Sequence, residues 1–396
     1  MADYTERPLS FKARKALRYT RLYGVRRTLN IVQGQYHIKR TYAELPASRA
    51  STSSQKHVGV IGCGIFGFGV VGYFLNKNYG KVIRGVMDHN ANRAASFYRH
   101  YSLDYYTTDV EELLGDPAID LVYIASNHAS HAEYAVRALE CGKAVHIEKP
   151  HVVNESQLRK LCATMRRTGG RVRLGFNRPR SPMGRLIKAR LDAQTGTAML
   201  NWFVAGAPLP RDHWYFRPEE GGRVLGNLCH WTDFTFQMTP ADRRFPIVIQ
   251  PTKFDRPDEN IAVTFLFGDG SIGAITYSAK GQPFEGDKER FTAHRSECLI
   301  AMEDFHRMVV EVEDEKRVIA PFFRDHGHDA NMRESYAMVR PGTEPNPGCD
   351  LAYVWETGML FLKTKEALDK GEVVTIERGY DESCLAEREP QAAYCT

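Results

Sequence analysis

The chain has 396 residues, 43% of them hydrophobic and 26% charged, which suits two domains rather than one core and excludes a disordered protein. Its net charge of +5 is uneven: residues 1–40 hold ten Lys/Arg against Asp3 and Glu6, a balance of +8 that leaves the remainder at −3. The basicity therefore belongs to an N-terminal arm, and the body gives no reason to expect a nucleic-acid partner.

In the arm, Phe11, Ala13, Leu17, Leu22, Val25, Leu29 and Val32 recur at roughly helical spacing among basic residues. This predicts one or two amphipathic helices broken near Gly24. The arm has no apolar signal core, although its Arg-rich start leaves an organelle presequence as the lesser alternative. Residues 45–56, rich in Ser and Ala, read as a linker.

A different rhythm starts at 57. HVGVIG is a short apolar strand, FGVVGYFLNKN a helix and KVIRGVMD a second strand. NANRAASFYRHY is a helix with Asn90 as N-cap, and DVEELLGD a short helix opened by Asp109. DLVYIAS is a continuous apolar strand, SHAEYAVRALECG a helix closed by Gly142, and KAVHIEKP a further strand. Strands apolar on both faces that alternate with helices predict a parallel sheet covered on both sides.

After Pro150 the pattern changes. A helix at 154–168 ends at Gly169-Gly170, RVRLGFN is a strand, and 181–193 is a helix. TAMLNWFVAG, FPIVIQPT and NIAVTFLFGDGSIGAITYSA are strand-like, the last a hairpin turning at GDGS. More strand follows to about 320, then helices at 329–339 and 350–369. The expected fold is α/β: a basic helical extension and linker (1–56), a Rossmann dinucleotide-binding domain (57–150), an α/β domain with a large, mostly antiparallel open sheet (151–380) and a tail (381–396).

VIGCGIFG sets Gly62, Gly64 and Gly67 in the spacing G-x-G-x-x-G between a strand and a helix, the context that makes this motif specific for a dinucleotide. The backbone at Gly64, Ile65 and Phe66 then approaches the pyrophosphate at the helix N-terminus. Asp88 ends the second strand, where a carboxylate accepts from the adenosine ribose hydroxyls and repels a 2′-phosphate. The expected cofactor is NAD, with NADP possible because Arg93 lies close by; a helix-capping role for Asp88 is the competing reading. Ligands bind beyond the carboxyl ends of such strands, so Lys149 at the end of KAVHIEKP should face the nicotinamide. There it can hydrogen-bond a reacting alcohol or carbonyl oxygen, oriented by Glu148, unless it is a surface lysine of a connecting loop.

VIGCGIFG, SNHASHAEYAVRALECGKAVHIEKP and GFNRPRSP resemble the Gfo/Idh/MocA oxidoreductases over roughly 57–375, most specifically in Glu148-Lys149-Pro150. The resemblance implies NAD(P)-dependent oxidation or reduction at a hydroxyl of a sugar, sugar derivative or cyclitol. EEGGRVLGNLCHWTDF resembles the segment carrying the family's catalytic histidine, which would be His230, a proton acceptor from the substrate hydroxyl; a buried core histidine is the alternative. Many relatives place an acid three or four residues earlier, where this chain has Asn227 and Gly226. Asp233, one helical turn later, is the remaining carboxylate to orient His230. Ser126, Asn127 and His131 follow the fourth strand, where relatives contact the nicotinamide end, although Asn127 also suits a helix cap. Asn177 and Arg178 should face the cleft, and Trp214 and Tyr215 suit a sugar ring.

Two other readings stand beside the dehydrogenase: a non-catalytic dinucleotide- or sugar-binding regulator, and a lyase or hydrolase that uses tightly held NAD transiently. The eight cysteines form no CxxC pair and no zinc spacing, so no metal is expected, and free thiols point to a reducing, cytoplasmic location. A homo-oligomer through the C-terminal sheet is expected. The arm should pack on protein, a neighbouring subunit or a partner, with an anionic membrane surface as the alternative.

Overall fold

The computed structural model describes residues 4–48, 55–252, 259–281, 284 and 286–385. The arm forms two helices, α1 (Leu9–Tyr23) and α2 (Val25–His37). They part at Gly24, whose φ of 80° few other residues adopt.

Six strands make a parallel sheet: β1 (Val58–Ile61), β2 (Ile83–Met87), β3 (Tyr105–Thr107), β4 (Leu121–Ile124), β5 (Ala144–Ile147) and β6 (Val172–Leu174), in the order β3-β2-β1-β4-β5-β6. The chain reverses its direction of winding between β1 and β4, which opens a crevice at the carboxyl ends of those two strands. Helices α3 (Tyr73–Tyr79), α4 (Ala91–Tyr101), α5 (Val110–Leu114), α6 (His131–Glu140) and α7 (Glu155–Thr168) lie along this part of the chain. Their starts are the expected ones: Asn90 accepts from the N–H groups of Asn92 and Arg93, Asp109 from Glu111 and Asn154 from Gln157. The expected boundary at 150 falls inside this sheet, because β6 pairs with β5 through Ile147 and Leu174. β3 has only three residues, too few for periodicity to mark it.

The second sheet has nine strands: β7 (Ala198–Ala205), β8 (Ile247–Pro251), β9 (Asn260–Leu266), β10 (Ile272–Ser278), β11 (Lys288–Arg295), β12 (Cys298–Glu303), β13 (Arg307–Val312), β14 (Glu315–Ile319) and β15 (Val374–Ile376). All neighbours are antiparallel except β7 and β10. The strands alternate buried and exposed residues, so one face is covered. Helices α8 (Pro182–Asp192), α9 (Cys229–Met238) and α11 (Leu351–Lys370) contribute to its core, while α10 (His328–Tyr336) packs on α3.

Residues 59–75, which carry no charged side chain, form a strand, a turn and a helix, and no described helix is long and apolar enough to cross a membrane. The seven described cysteines are unpaired; Cys395 lies outside the described residues.

Candidate active site

A cleft of about 660 Å³ opens at the carboxyl ends of β1, β4 and β5. Its first wall is the glycine turn. A side chain at Gly62 would sit 2.4 Å from the Ala125 carbonyl oxygen, and one at Gly67 2.1 Å from the Gly62 carbonyl. At Gly64 nothing lies within 4 Å, so the backbone there is bare toward the cleft. Gly64, Ile65 and Phe66 line it, while Gly67 is packed beneath in a π-helical turn (Gly67–Gly72) that runs into α3. Asp88 accepts from the N–H of Cys63 at 2.8 Å with one oxygen and from that of Asn90 at 2.8 Å with the other. Each oxygen keeps a lone pair for a further donor. A bare turn at a helix start, closed by a carboxylate at the end of β2, fits a dinucleotide: Gly62, Gly64 and Gly67 would cradle its pyrophosphate and Asp88 its ribose.

The far end is built by β4 and β5. Glu148 is buried, paired with His146 Nε2 at 3.1 Å, and seated over Gly175, where a side chain would collide with its carboxylate. Lys149 extends from the same strand end and donates through Nζ to the Gly226 carbonyl at 2.5 Å. His131 Nδ1 lies 2.8 Å from the Pro150 carbonyl and Nε2 3.2 Å from that of Ser126. Burial pulls its pKa down, so the ring is neutral and its proton belongs on Nδ1, the closer contact. Ser126, Asn127 and His131 all line the cleft.

The nine-stranded domain closes the cleft with residues 214–220. Trp214 and Tyr215 pack edgewise and tilted against His128, ring centroids 4.7 and 4.6 Å away. Glu220, only 1% exposed, accepts from Asn127 Nδ2 at 2.7 Å and the Ala129 N–H at 3.1 Å, while its carbonyl accepts from His128 Nδ1 at 3.0 Å. These bonds join the two halves of the site. Glu220 was not expected from the sequence; its only signal is its place ahead of the glycine pair 221–222. Ile38 also lines the cleft, and nothing in the sequence ties it there.

Gly226 lies in a second π-helical turn (Val224–Leu228) that leads directly into α9 and His230. His230 is 8% exposed and its Nδ1 has no partner. Burial, then the charges of Arg178 and Lys149, hold its pKa well below the usual value, leaving a neutral imidazole. Lys149 and His230 are thus joined through one turn of backbone.

Six expected site residues do not line this cleft: Gly67 and His230, placed above, and four others. Arg178 is buried and grips Glu289 with two bonds of 2.7 Å. Asn177 is fully buried, donating to the His326 carbonyl at 2.7 Å. Asn227 accepts from Arg223 at 3.4 Å. Asp233 does not reach His230: Tyr353, Thr357 and Gln237 take its oxygens, and burial raises its pKa to about 6. Among the described residues, no group of three or more His, Cys, Asp or Glu is placed to hold a metal ion.

Residues 56–176 match the family described as "Oxidoreductase family, NAD-binding Rossmann fold" (GFO_IDH_MocA). The chain is 25% identical over 330 residues to the uncharacterized oxidoreductase YrbE of Bacillus subtilis, covering 79% of this chain and 96% of that one. It is 29% identical over 302 residues to scyllo-inositol 2-dehydrogenase (NAD(+)) of the same organism, covering 72% and 87%. In fold it is similar to levoglucosan dehydrogenase, solved in complex with NADH and levoglucosan, with a TM-score of 0.68, 16% identity, and coverage of 82% of this chain and 100% of the other.

Proposed function

The chain belongs to the Gfo/Idh/MocA oxidoreductases and is an NAD(P)-dependent dehydrogenase, and on that premise we propose that it acts on a CH–OH group of a sugar, sugar derivative or cyclitol. The observation that carries this is the Lys149 bridge: the ammonium at the end of β5 crosses to the turn that opens into His230. Bound NAD supplies the hydride acceptor. Lys149 donates a hydrogen bond to the reacting oxygen, and the neutral His230 receives the proton of that hydroxyl. Trp214 and Tyr215 give the ring of the substrate an aromatic wall, and Glu220 keeps Asn127 and His128 oriented beneath it. Asp88 favours NAD over its 2′-phosphorylated form. The scyllo-inositol and levoglucosan enzymes act on, or bind, polyhydroxylated rings by their names alone, which sets the substrate class to try first.

The test is to incubate the purified chain with NAD and a panel of inositols, hexoses and anhydro sugars, following NADH. Steady NADH formation with one ring polyol is the expected result. Product formation with no net change in nicotinamide would overturn it in favour of transient redox, and ligand binding without any product would favour a sensor.

The second domain also supports assembly of identical copies. Leu266, Ile272, Met199 and Leu299 stand in one row across β9, β10, β7 and β12, with His294 of β11 between the last two. All four apolar side chains are more than a third exposed, an apolar patch of the sort that marks an interface. Light scattering should give a multiple of the 44.9 kDa chain mass, and Met199→Glu should reduce it to the monomer. A wild-type monomer would end this proposal.

A further inference from the structure

The arm does not wait for a partner: α2 is folded onto its own chain at the back of the glycine turn. His37, in its last turn, is buried, with Nε2 2.7 Å from the Cys63 carbonyl and Nδ1 2.9 Å from Ser96 Oγ. Cys63 is the residue between Gly62 and Gly64. Its N–H is bound by Asp88 and its carbonyl by His37, so the two successive peptide groups that flank Cys63 in the turn are each held. The ring stacks on Phe68, centroids 4.1 Å apart and planes 16° from parallel. Burial lowers the His37 pKa to about 4, so the imidazole is neutral. A carbonyl only accepts, which puts the proton on Nε2 and leaves Nδ1 to accept from the Ser96 hydroxyl.

The same helix pair reaches the other domain. Arg324 donates its backbone N–H to the Leu22 carbonyl at 2.8 Å and its Nε to Tyr23 OH at 2.9 Å. Beyond Arg324 the chain passes to His326, whose carbonyl holds Asn177, and to His328, which packs against Phe66 of the cleft wall. The residue after His37, Ile38, itself lines the cleft, together with Arg93, whose Nε is buried without a protein partner.

We infer that α2 is a working part of the dinucleotide site: His37 is a positioning residue for the pyrophosphate-binding turn, and Ile38 and Arg93 form the adenosine end. This rests on the reading of the cleft as the cofactor site. The arm makes cofactor affinity depend on a segment outside the Rossmann domain, and it ties that segment to the stretch from Arg324 to His328, which packs behind Phe66.

Fluorescence titration of the full chain with NADH tests it. His37→Ala should raise the Kd about tenfold, and His37→Gln, whose amide nitrogen stands near the position of Nε2, should restore most of the affinity. Ser96→Ala, a smaller change to the same relay, should raise the Kd about threefold. An unchanged Kd in His37→Ala would overturn the inference. So would equal losses in His37→Ala and His37→Gln, which would mean packing alone. If His37→Ala does not fold, Ser96→Ala decides, and an unchanged Kd there overturns it. If the wild-type chain binds neither NADH nor NAD, the reading of the cleft itself falls and takes the inference with it.

Discussion

Replacing Lys149 by methionine should lower turnover by about 10³-fold while leaving the Kd for NADH within about threefold of wild type. Methionine keeps most of the length and the apolar stem of lysine and removes the positive charge with its three donors. One of those donors is spent on the Gly226 carbonyl, which leaves two for the oxygen of a bound alcohol. In the proposed site the dinucleotide would be served by other residues: Gly62 and Gly64 on the turn, and Asp88 just after β2. On that proposal proton handling and cofactor binding sit on different elements, and the two readouts should separate. Steady-state rates with the polyol found in the screen, beside an NADH titration, measure both. A Lys149→Met protein within tenfold of wild-type turnover would remove Lys149 from the chemistry. Parallel losses in both readouts would make it a structural residue of the cleft.

The glycine turn and the strand ends that line this cleft were readable from the chain because their determinants are local. Gly62, Gly64 and Gly67 act through backbone space within one turn, and the structure fills the space around Gly62 and Gly67 as that spacing requires. Asp88 and Lys149 are strand-end residues, and a strand end in a parallel sheet is a place that apolar runs and glycines mark without any long-range information. The helix starts at Asn90, Asp109 and Asn154 were readable for the same reason: an N-cap bonds to residues two or three positions away.

What escaped depends on partners far along the chain. Arg178 sits after a strand end, as Lys149 does, yet turns inward because Glu289, 111 residues later, takes its Nε and one Nη, with Trp231 Nε1 sharing the same carboxylate at 2.8 Å. No spacing in GFNRPR announces that pair. His37 and Ser96 are 59 residues apart and Glu220 and Asn127 93 apart, so neither the dock of α2 nor the domain-crossing carboxylate has a local signal. The arm's apolar residues read as packing on a neighbouring subunit or a partner; that α2 docks on its own glycine turn had no signal in the sequence. β15 was invisible in a simpler way, having three residues.

Putting an acid at Gly226, where many members of the family have one near the catalytic histidine, should damage this chain. A Cβ at 226 would lie 2.6 Å from Tyr215 Cε2 and 2.7 Å from His128 Cε1. Both side chains line the cleft, and His128 is tied to the Glu220 carbonyl. Tyr215 can move only by giving up its packing on His128, and His128 only by breaking the bond that joins the two domains. The Lys149 anchor is the carbonyl of that same residue, so any shift of the turn also moves the ammonium. Gly226→Asp should therefore cut kcat/KM by about 10²-fold, the scale on which misplacing catalytic groups by an ångström acts. Overpacking of this kind should also cost about 1–3 kcal/mol of stability. Gly226→Ala, which adds the Cβ without the charge, should share most of both losses, because the collision is made by the first carbon. A Gly226→Asp protein more active than wild type would mean that Tyr215 and His128 yield freely and that the carboxylate relays a proton to His230. In the proposed mechanism Lys149 and His230 would act without that carboxylate, because the space it would need is already taken by Tyr215 and His128.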